Sequence, residues 1–274
     1  MRKDELATLV VQRLSLNSET LAKSFQNSAS EVGVRYLAID DLLPDDICHN
    51  IYNQFPTLGN MRYMSSFRER KYTSKDFDSH DPTLADITFA LQDAEVIKKI
   101  EAITNINNQV ADPTLYAGGL SAMSINNFLS PHIDNSHNSG REHYRTLNLL
   151  YYVTPNWKFE YGGNLQLWDS TLKNSVTIHS KFNRLVLMET TPSSWHGVNK
   201  VTVKGTRCCV SNYYFSPDSP TGRDYFNVTS FGAPPSQPLR RFMGKLDSFS
   251  RNGLRSIFPS GLGKKDIYSP KDDE

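Results

Sequence analysis

Ser130-Pro131-His132-Ile133-Asp134 is the stretch from which the rest of the chain can be read. In an extended strand alternate side chains share a face, so His132 and Asp134 point the same way. An imidazole beside a carboxylate is two-thirds of a facial metal-ligand set, and the third ligand must come from another strand. Ser194-Trp195-His196-Gly197-Val198 offers it. Two histidines and one carboxylate on one face of an ion leave the opposite face open to other ligands.

The frame around this stretch is extended. After Pro113, short runs rich in Tyr, Val, Leu and Thr alternate with Gly, Asn, Pro and Asp. They predict strands over 119–125, 131–134, 145–153, 164–168, 175–178, 184–189, 197–203 and 207–215. Strands at this spacing suggest a jelly roll or a small barrel, giving a mainly β fold with flanking helices. Gly162-Gly163 and Lys204-Gly205 mark tight connections. The second of these makes 197–215 read as a hairpin that brings Arg207 back beside His196. On its strand Arg207 shares a face with Cys209, Ser211 and Tyr213. An arginine inside a barrel needs an anionic partner, and a ligand carboxylate meets that need with two parallel hydrogen bonds.

Upstream, apolar spacing predicts a helix over 4–26 with a break at Asn17-Ser18, then a strand over 32–39 and a helix over 45–54 that opens on acidic residues. Residues 60–82 read as polar and irregular, and helices follow over 84–91 and 94–103. Downstream, 216–238 is a proline-rich loop and 239–254 is expected to be helical. The chain therefore divides into an N-terminal helical extension (1–30), a central domain with its leading helices (31–216) and a C-terminal loop and helix (217–274).

Composition narrows the function. Thirty basic against 29 acidic residues leave a net charge of +1, which argues against nucleic acid and anionic membranes as partners. Three cysteines (Cys48, Cys208, Cys209) do not make a disulfide framework and suggest a reducing, cytoplasmic setting. The longest apolar runs, such as 147–153, are too short to cross a bilayer, and 1–9 has no signal-peptide core.

From Pro131 to Phe215 the chain resembles the prolyl 4-hydroxylase-like branch of the Fe(II)/2-oxoglutarate-dependent dioxygenases. The matching pieces run in order: Pro131-His132-Ile133-Asp134, Arg145-Thr146-Leu147-Asn148-Leu149-Leu150-Tyr151-Tyr152, Tyr161-Gly162-Gly163-Asn164-Leu165, Trp195-His196-Gly197-Val198 and Gly205-Thr206-Arg207. The resemblance implies a double-stranded β-helix (jelly roll) core and Fe(II) on His132, Asp134 and His196. It also implies that 2-oxoglutarate is consumed with O2 to give succinate and CO2 while an unactivated C–H bond is hydroxylated, ascorbate being a candidate reductant. Arg207 would take the distal carboxylate of 2-oxoglutarate, with Tyr152, and further Asn148 and Ser211, on the same strand faces. The chain departs from the pattern at 123–128, where the family often carries a tyrosine ahead of the His-x-Asp motif.

The substrate is expected to be an amino acid, a peptidyl side chain or another small molecule, and the terminal helices are candidates for a homodimer contact. A cupin-like metal-binding module without turnover is the competing reading. Other residues have plainer explanations. His137 and His143 read as loop residues, and His49, His80 and His179 as surface or satisfied histidines. Tyr151, Tyr213, Tyr214, Trp157 and Trp168 read as packing residues, and Cys208 and Cys209 as small buried side chains. Trp195 is placed to shape a substrate mouth, and Arg145 to make an ion pair or touch substrate. The basic face of 239–254 reads as solvated surface.

Overall fold

The computed structural model describes residues 1–116, 118–238 and 267–269. The helix expected over 239–254 lies outside these residues. The chain begins with α1 (Lys3–Ser15) and α2 (Ser18–Asn27), broken at Asn17-Ser18 as the sequence indicates, then β1 (Tyr36–Ile39) and α3 (Asp45–Asn53). A hairpin of β2 (Arg62–Ser65) and β3 (Glu69–Ser74) follows, then α4 (Pro82–Ala90) and α5 (Ala94–Thr104). The remaining strands are β4 (Val110–Ala111), β5 (Gly119–Met123), β6 (Phe128–Ile133), β7 (Tyr144–Tyr152), β8 (Leu165–Trp168), β9 (Ser175–Ile178), β10 (Arg184–Glu189), β11 (Trp195–Val198), β12 (Arg207–Ser216) and β13 (Ser230–Phe231).

Local chemistry fixes the helix ends. The Asp81 carboxylate accepts from the Thr83 N–H and Pro82 occupies the first turn of α4; Asp93 accepts from Glu95 N–H at the start of α5. Asn105 closes α5 in the left-handed conformation.

The strands run β1-β10-β7-β12-β5-β3-β6-β11-β8-β9, all neighbours antiparallel. The fold is a mostly antiparallel, nearly closed barrel of jelly-roll type. The larger sheet ends in β5 and the smaller begins at β6, and β3 spans the seam. Its first residues pair with β6 (Glu69 with Leu129) and its later ones with β5 (Tyr72 with Ala122).

Alternation along β7 divides the molecule. Leu147, Leu149, Tyr151 and Val153 face the helices, where they join Leu6, Val10 and Leu14 of α1 and Phe25 of α2 in the main core. Asn148, Leu150 and Tyr152 face the barrel interior. A strand buried on both faces explains why 145–153 has few polar positions. Asn212 of β12, on the helix side, donates to the Thr88 carbonyl and accepts from Gln92, which ties α4 to the sheet.

The structure departs from the sequence expectation in three places. The stretch 60–82 is not irregular: it contains the β2–β3 hairpin, whose charged residues obscured the alternation of Glu69, Lys71 and Thr73. The strand expected over 197–203 is β11, Trp195–Val198, because residues after Val198 turn away to pair with 126–127 and 161–163. And 197–215 is not a hairpin. β11 pairs with β6 and β8, whereas β12 pairs with β4, β5 and β7, so the connection crosses from one sheet to the other.

Candidate metal centre

His132 on β6 and His196 on β11 are direct cross-strand partners, with ring centroids 4.2 Å apart. Gly197 permits that pairing: a Cβ there would lie 2.7 Å from the Leu129 carbonyl oxygen. Asp134 follows β6 on the same face. One ligating atom from each of His132, Asp134 and His196 lies within 4.8 Å of the others. The two Nε2 atoms stand 3.4 Å from the two Asp134 carboxylate oxygens.

Both imidazoles are held in one tautomer. Nδ1 of His132 contacts the Ser130 carbonyl at 3.0 Å, and Nδ1 of His196 contacts the Ser194 carbonyl at 3.0 Å. A carbonyl only accepts, so each Nδ1 carries the proton and each Nε2 presents a lone pair to the common centre. Burial, reinforced by the neighbouring His196, lowers the His132 pKa, which favours the neutral, ligating form.

Asp134 is 9% exposed. Burial works to raise its pKa, but the Arg145 charge leads the effects that outweigh it and hold the carboxyl well below its ordinary value. Arg145 is fully buried, 3.2 Å from Asp134 Oδ2, with its guanidinium 4.1 Å from the centre of the Tyr213 ring. Asn148 Nδ2 donates to the same oxygen at 2.8 Å, and Asn148 Oδ1 accepts from Thr190. Asn148 therefore lines the cavity with its amide already engaged on Asp134, a partner the sequence did not suggest.

A cavity of about 240 Å³ opens beside the three residues. Arg207, Cys209, Ser211 and Tyr213 line it, as the alternation of β12 requires, together with Asn148 and Tyr152 of β7. Arg207 is 3% exposed, its Nε has no hydrogen-bond partner, and among the described residues no carboxylate pairs with it. Its guanidinium carbon lies 5.4 Å from the centre of the Tyr152 ring. A buried cation with unfilled donors, facing a cavity, is chemically suited to a ligand carboxylate. The donor set of two imidazoles and one carboxylate likewise suits a divalent first-row metal.

Two parts of the site were not visible in the sequence. β13 pairs with β6 at His132 itself, and the Phe231 ring stacks on that imidazole at 5.4 Å. Asn227 donates to the Asp134 carbonyl, and its N–H donates to Ser136 Oγ. The hint in the sequence was the set Tyr225, Phe226, Val228 and Phe231 within the proline-rich loop. The second part is Met64, Glu69, Lys71 and Thr73 of the β2–β3 hairpin, which complete the cavity wall. Trp195, expected at the mouth, packs instead where a Cβ on Gly232 would touch it. His137 sits in an aromatic group with Tyr144, Tyr225 and Phe226. Cys48, Cys208 and Cys209 are buried free thiols.

Residues 118–215 match the family described as the 2OG-Fe(II) oxygenase superfamily. No curated protein matches the chain. Among solved structures, a prolyl-4-hydroxylase from Pseudomonas putida is 11% identical, with 72% of this chain and 98% of that one covered and a TM-score of 0.55. A prolyl 4-hydroxylase structure from Phytophthora capsici is 16% identical, covering 92% and 80%, with a TM-score of 0.55. A Trichoplax adhaerens prolyl hydroxylase, in complex with a hypoxia inducible factor peptide fragment, is 18% identical, covering 73% and 90%, with a TM-score of 0.50. At these identities the likeness is one of fold. That fold agrees with the match over 118–215 to the 2OG-Fe(II) oxygenase superfamily.

Proposed function

We propose that this protein is an Fe(II)- and 2-oxoglutarate-dependent oxygenase that hydroxylates an unactivated C–H bond of an amino acid, peptidyl or small-metabolite substrate. One observation carries the reading: a His132–Asp134–His196 triad and an unpaired, buried Arg207 face the same cavity. Iron and 2-oxoglutarate would supply the oxidising power, one atom of O2 entering the substrate as hydroxyl and the other entering succinate as CO2 is released.

The chain's own residues supply orientation. The Ser130 and Ser194 carbonyls aim both Nε2 lone pairs at the metal. Arg145 and Asn148 hold Asp134 anionic and fix its rotation. Arg207 pairs the distal carboxylate of 2-oxoglutarate, with the Tyr152 and Ser211 hydroxyls on the same cavity wall. Phe231 and Leu129 give the cavity apolar wall beside the triad.

The test is succinate formation from 2-oxoglutarate by purified protein given Fe(II), O2 and ascorbate, without added substrate. Slow turnover is expected, and its loss in His132→Ala and in Asp134→Ala. Arg207→Ala should raise the KM for 2-oxoglutarate by roughly ten- to a hundred-fold, the worth of a charge-assisted pair. A cupin-like module that only binds metal forms no succinate, and that result would overturn the proposal.

A further inference from the structure

The oxygenase reading leaves one charged feature of the cavity unused. Glu69 and Lys71, two residues apart on β3, line it on the same face and pair with each other at 3.0 Å. Their side chains are only 15% and 23% exposed. A mostly buried ion pair contributes little to stability, since desolvation offsets the attraction. Neither member is saturated. A carboxylate offers about four acceptor positions and an ammonium three donors, and this pair uses one contact of each. Both residues line the cavity.

A wall of this kind discriminates by sign pattern. A simple anion gains from Lys71 and loses to Glu69, and a simple cation does the reverse. A molecule carrying both charges one carbon apart gains from both and completes an alternating four-charge square. We propose that Glu69 and Lys71 are the recognition site for a free α-amino acid, the ammonium of the substrate on Glu69 and its carboxylate on Lys71. The inference rests on the oxygenase reading and names its substrate class.

The cavity supports an aliphatic side chain. Leu129 pairs with Glu69 in register on one side and with Val198 on the other, and all three line the cavity. This apolar step leads along β6 and β11 from the ion pair towards His132 and His196. The volume agrees: about 240 Å³ is below the range of roughly 300–1,000 Å³ for drug-sized ligands, and it must hold 2-oxoglutarate as well. An internal peptide residue would offer the pair only an amide N–H and a carbonyl, without the two charges that the pair complements.

The experiment measures succinate release with the common free L-amino acids, and with N-acetyl and carboxamide forms of those that respond. An aliphatic amino acid should stimulate release, and blocking either end should abolish the effect. Glu69→Gln and Lys71→Met should raise the KM for that amino acid roughly ten- to a hundred-fold, with the KM for 2-oxoglutarate held. Lys71→Arg should retain most of the affinity.

Stimulation by a blocked amino acid or a peptide as strong as by the free one would overturn the inference. So would a Lys71→Met effect on 2-oxoglutarate instead of the amino acid. If wild-type protein makes succinate without substrate and no amino acid raises the rate, this inference fails and the oxygenase reading stands. If no succinate forms at all, that reading fails. Saturation-transfer NMR of L-leucine, L-valine and L-proline on wild-type protein and Lys71→Met then still decides whether the pair binds zwitterions.

Discussion

Asp134 is compensated from two directions, by a metal position on one side and by Arg145 on the other. The second does not depend on the first, and it makes Arg145 the costliest side chain in the site to remove. Arg145→Met strands a buried carboxylate and should destabilise the fold by about 3–5 kcal/mol. Urea unfolding measures this, and in the double variant with Asp134→Asn most of the loss should be recovered, because no uncompensated charge remains. Equal destabilisation in single and double variants would show that Arg145 acts by packing against Tyr213 rather than by charge. Arg207 differs. Its guanidinium has no carboxylate partner within the fold, so Arg207→Leu should be neutral or stabilising in the same assay while impairing use of 2-oxoglutarate.

At the scale of the element, β11 shows how little room the site leaves. A methyl group on Gly197 would lie 2.7 Å from the Leu129 carbonyl oxygen and 3.1 Å from the Pro131 nitrogen, both backbone atoms. Gly197→Ala should therefore cost about 1–3 kcal/mol and loosen the His196–His132 pairing, visible as a lower melting temperature and weaker metal binding. β1 and β10 are joined by a different device. Asp40, just past β1, accepts from Arg184 at 2.5 Å and pairs with Lys181 at 2.9 Å. The Arg184 hydrogen bond leads the causes that bring its pKa from 3.8 to about 2. A depressed carboxyl stabilises the fold fully above its unfolded pKa and ceases to do so as pH falls through the folded one. The contribution, about 1 kcal/mol after solvent screening, should vanish between about pH 4 and pH 2. Asp40→Asn should lower stability at pH 7 and lose that difference at pH 2.

The same scale shows what the sequence discloses. β7, β10 and β12 are readable because they are long and regular in their alternation, and their inward residues, Asn148, Tyr152, Arg207 and Ser211, follow from parity alone. β3 is hidden because its alternation is between two kinds of polar residue, and polarity does not say which face is inside when the inside is a cavity. β13 has two residues and exists only through its pairing with β6, so no local pattern could announce it. Arg207 was placed in the right cavity by the wrong connection: the barrel interior, shared by both sheets, brings it there without a hairpin.

For the whole molecule, the placement of the core predicts that the fold does not depend on metal. The main core lies between the helices and the larger sheet, remote in composition from the triad, and Arg145 compensates Asp134 from within the fold. Chelation by EDTA should leave the far-ultraviolet circular dichroism of the protein intact. Adding back Fe(II) or Mn(II) should stabilise the fold by mass action, by about 2.7 kcal/mol at a hundred times Kd, and so raise the melting point. Unfolding on chelation would show instead that the metal is structural. Among the described residues no helix is long and apolar enough to cross a membrane. Ile267–Ser269 lie against the helical side: Tyr268 meets the Phe77 ring edge-on at 5.6 Å, and its N–H donates to the Thr114 carbonyl.

β3 hydrogen-bonds to β6 through its first residues and to β5 through its later ones, while its inward side chains touch whatever fills the cavity. A tenant of that cavity thus braces the stitch between two sheets. Deuterium uptake at the backbone amides of 69–74 should slow on occupancy more than uptake along β7, which is already sealed on both faces, so a mass spectrometer could register ligand arrival without knowing the chemistry that follows.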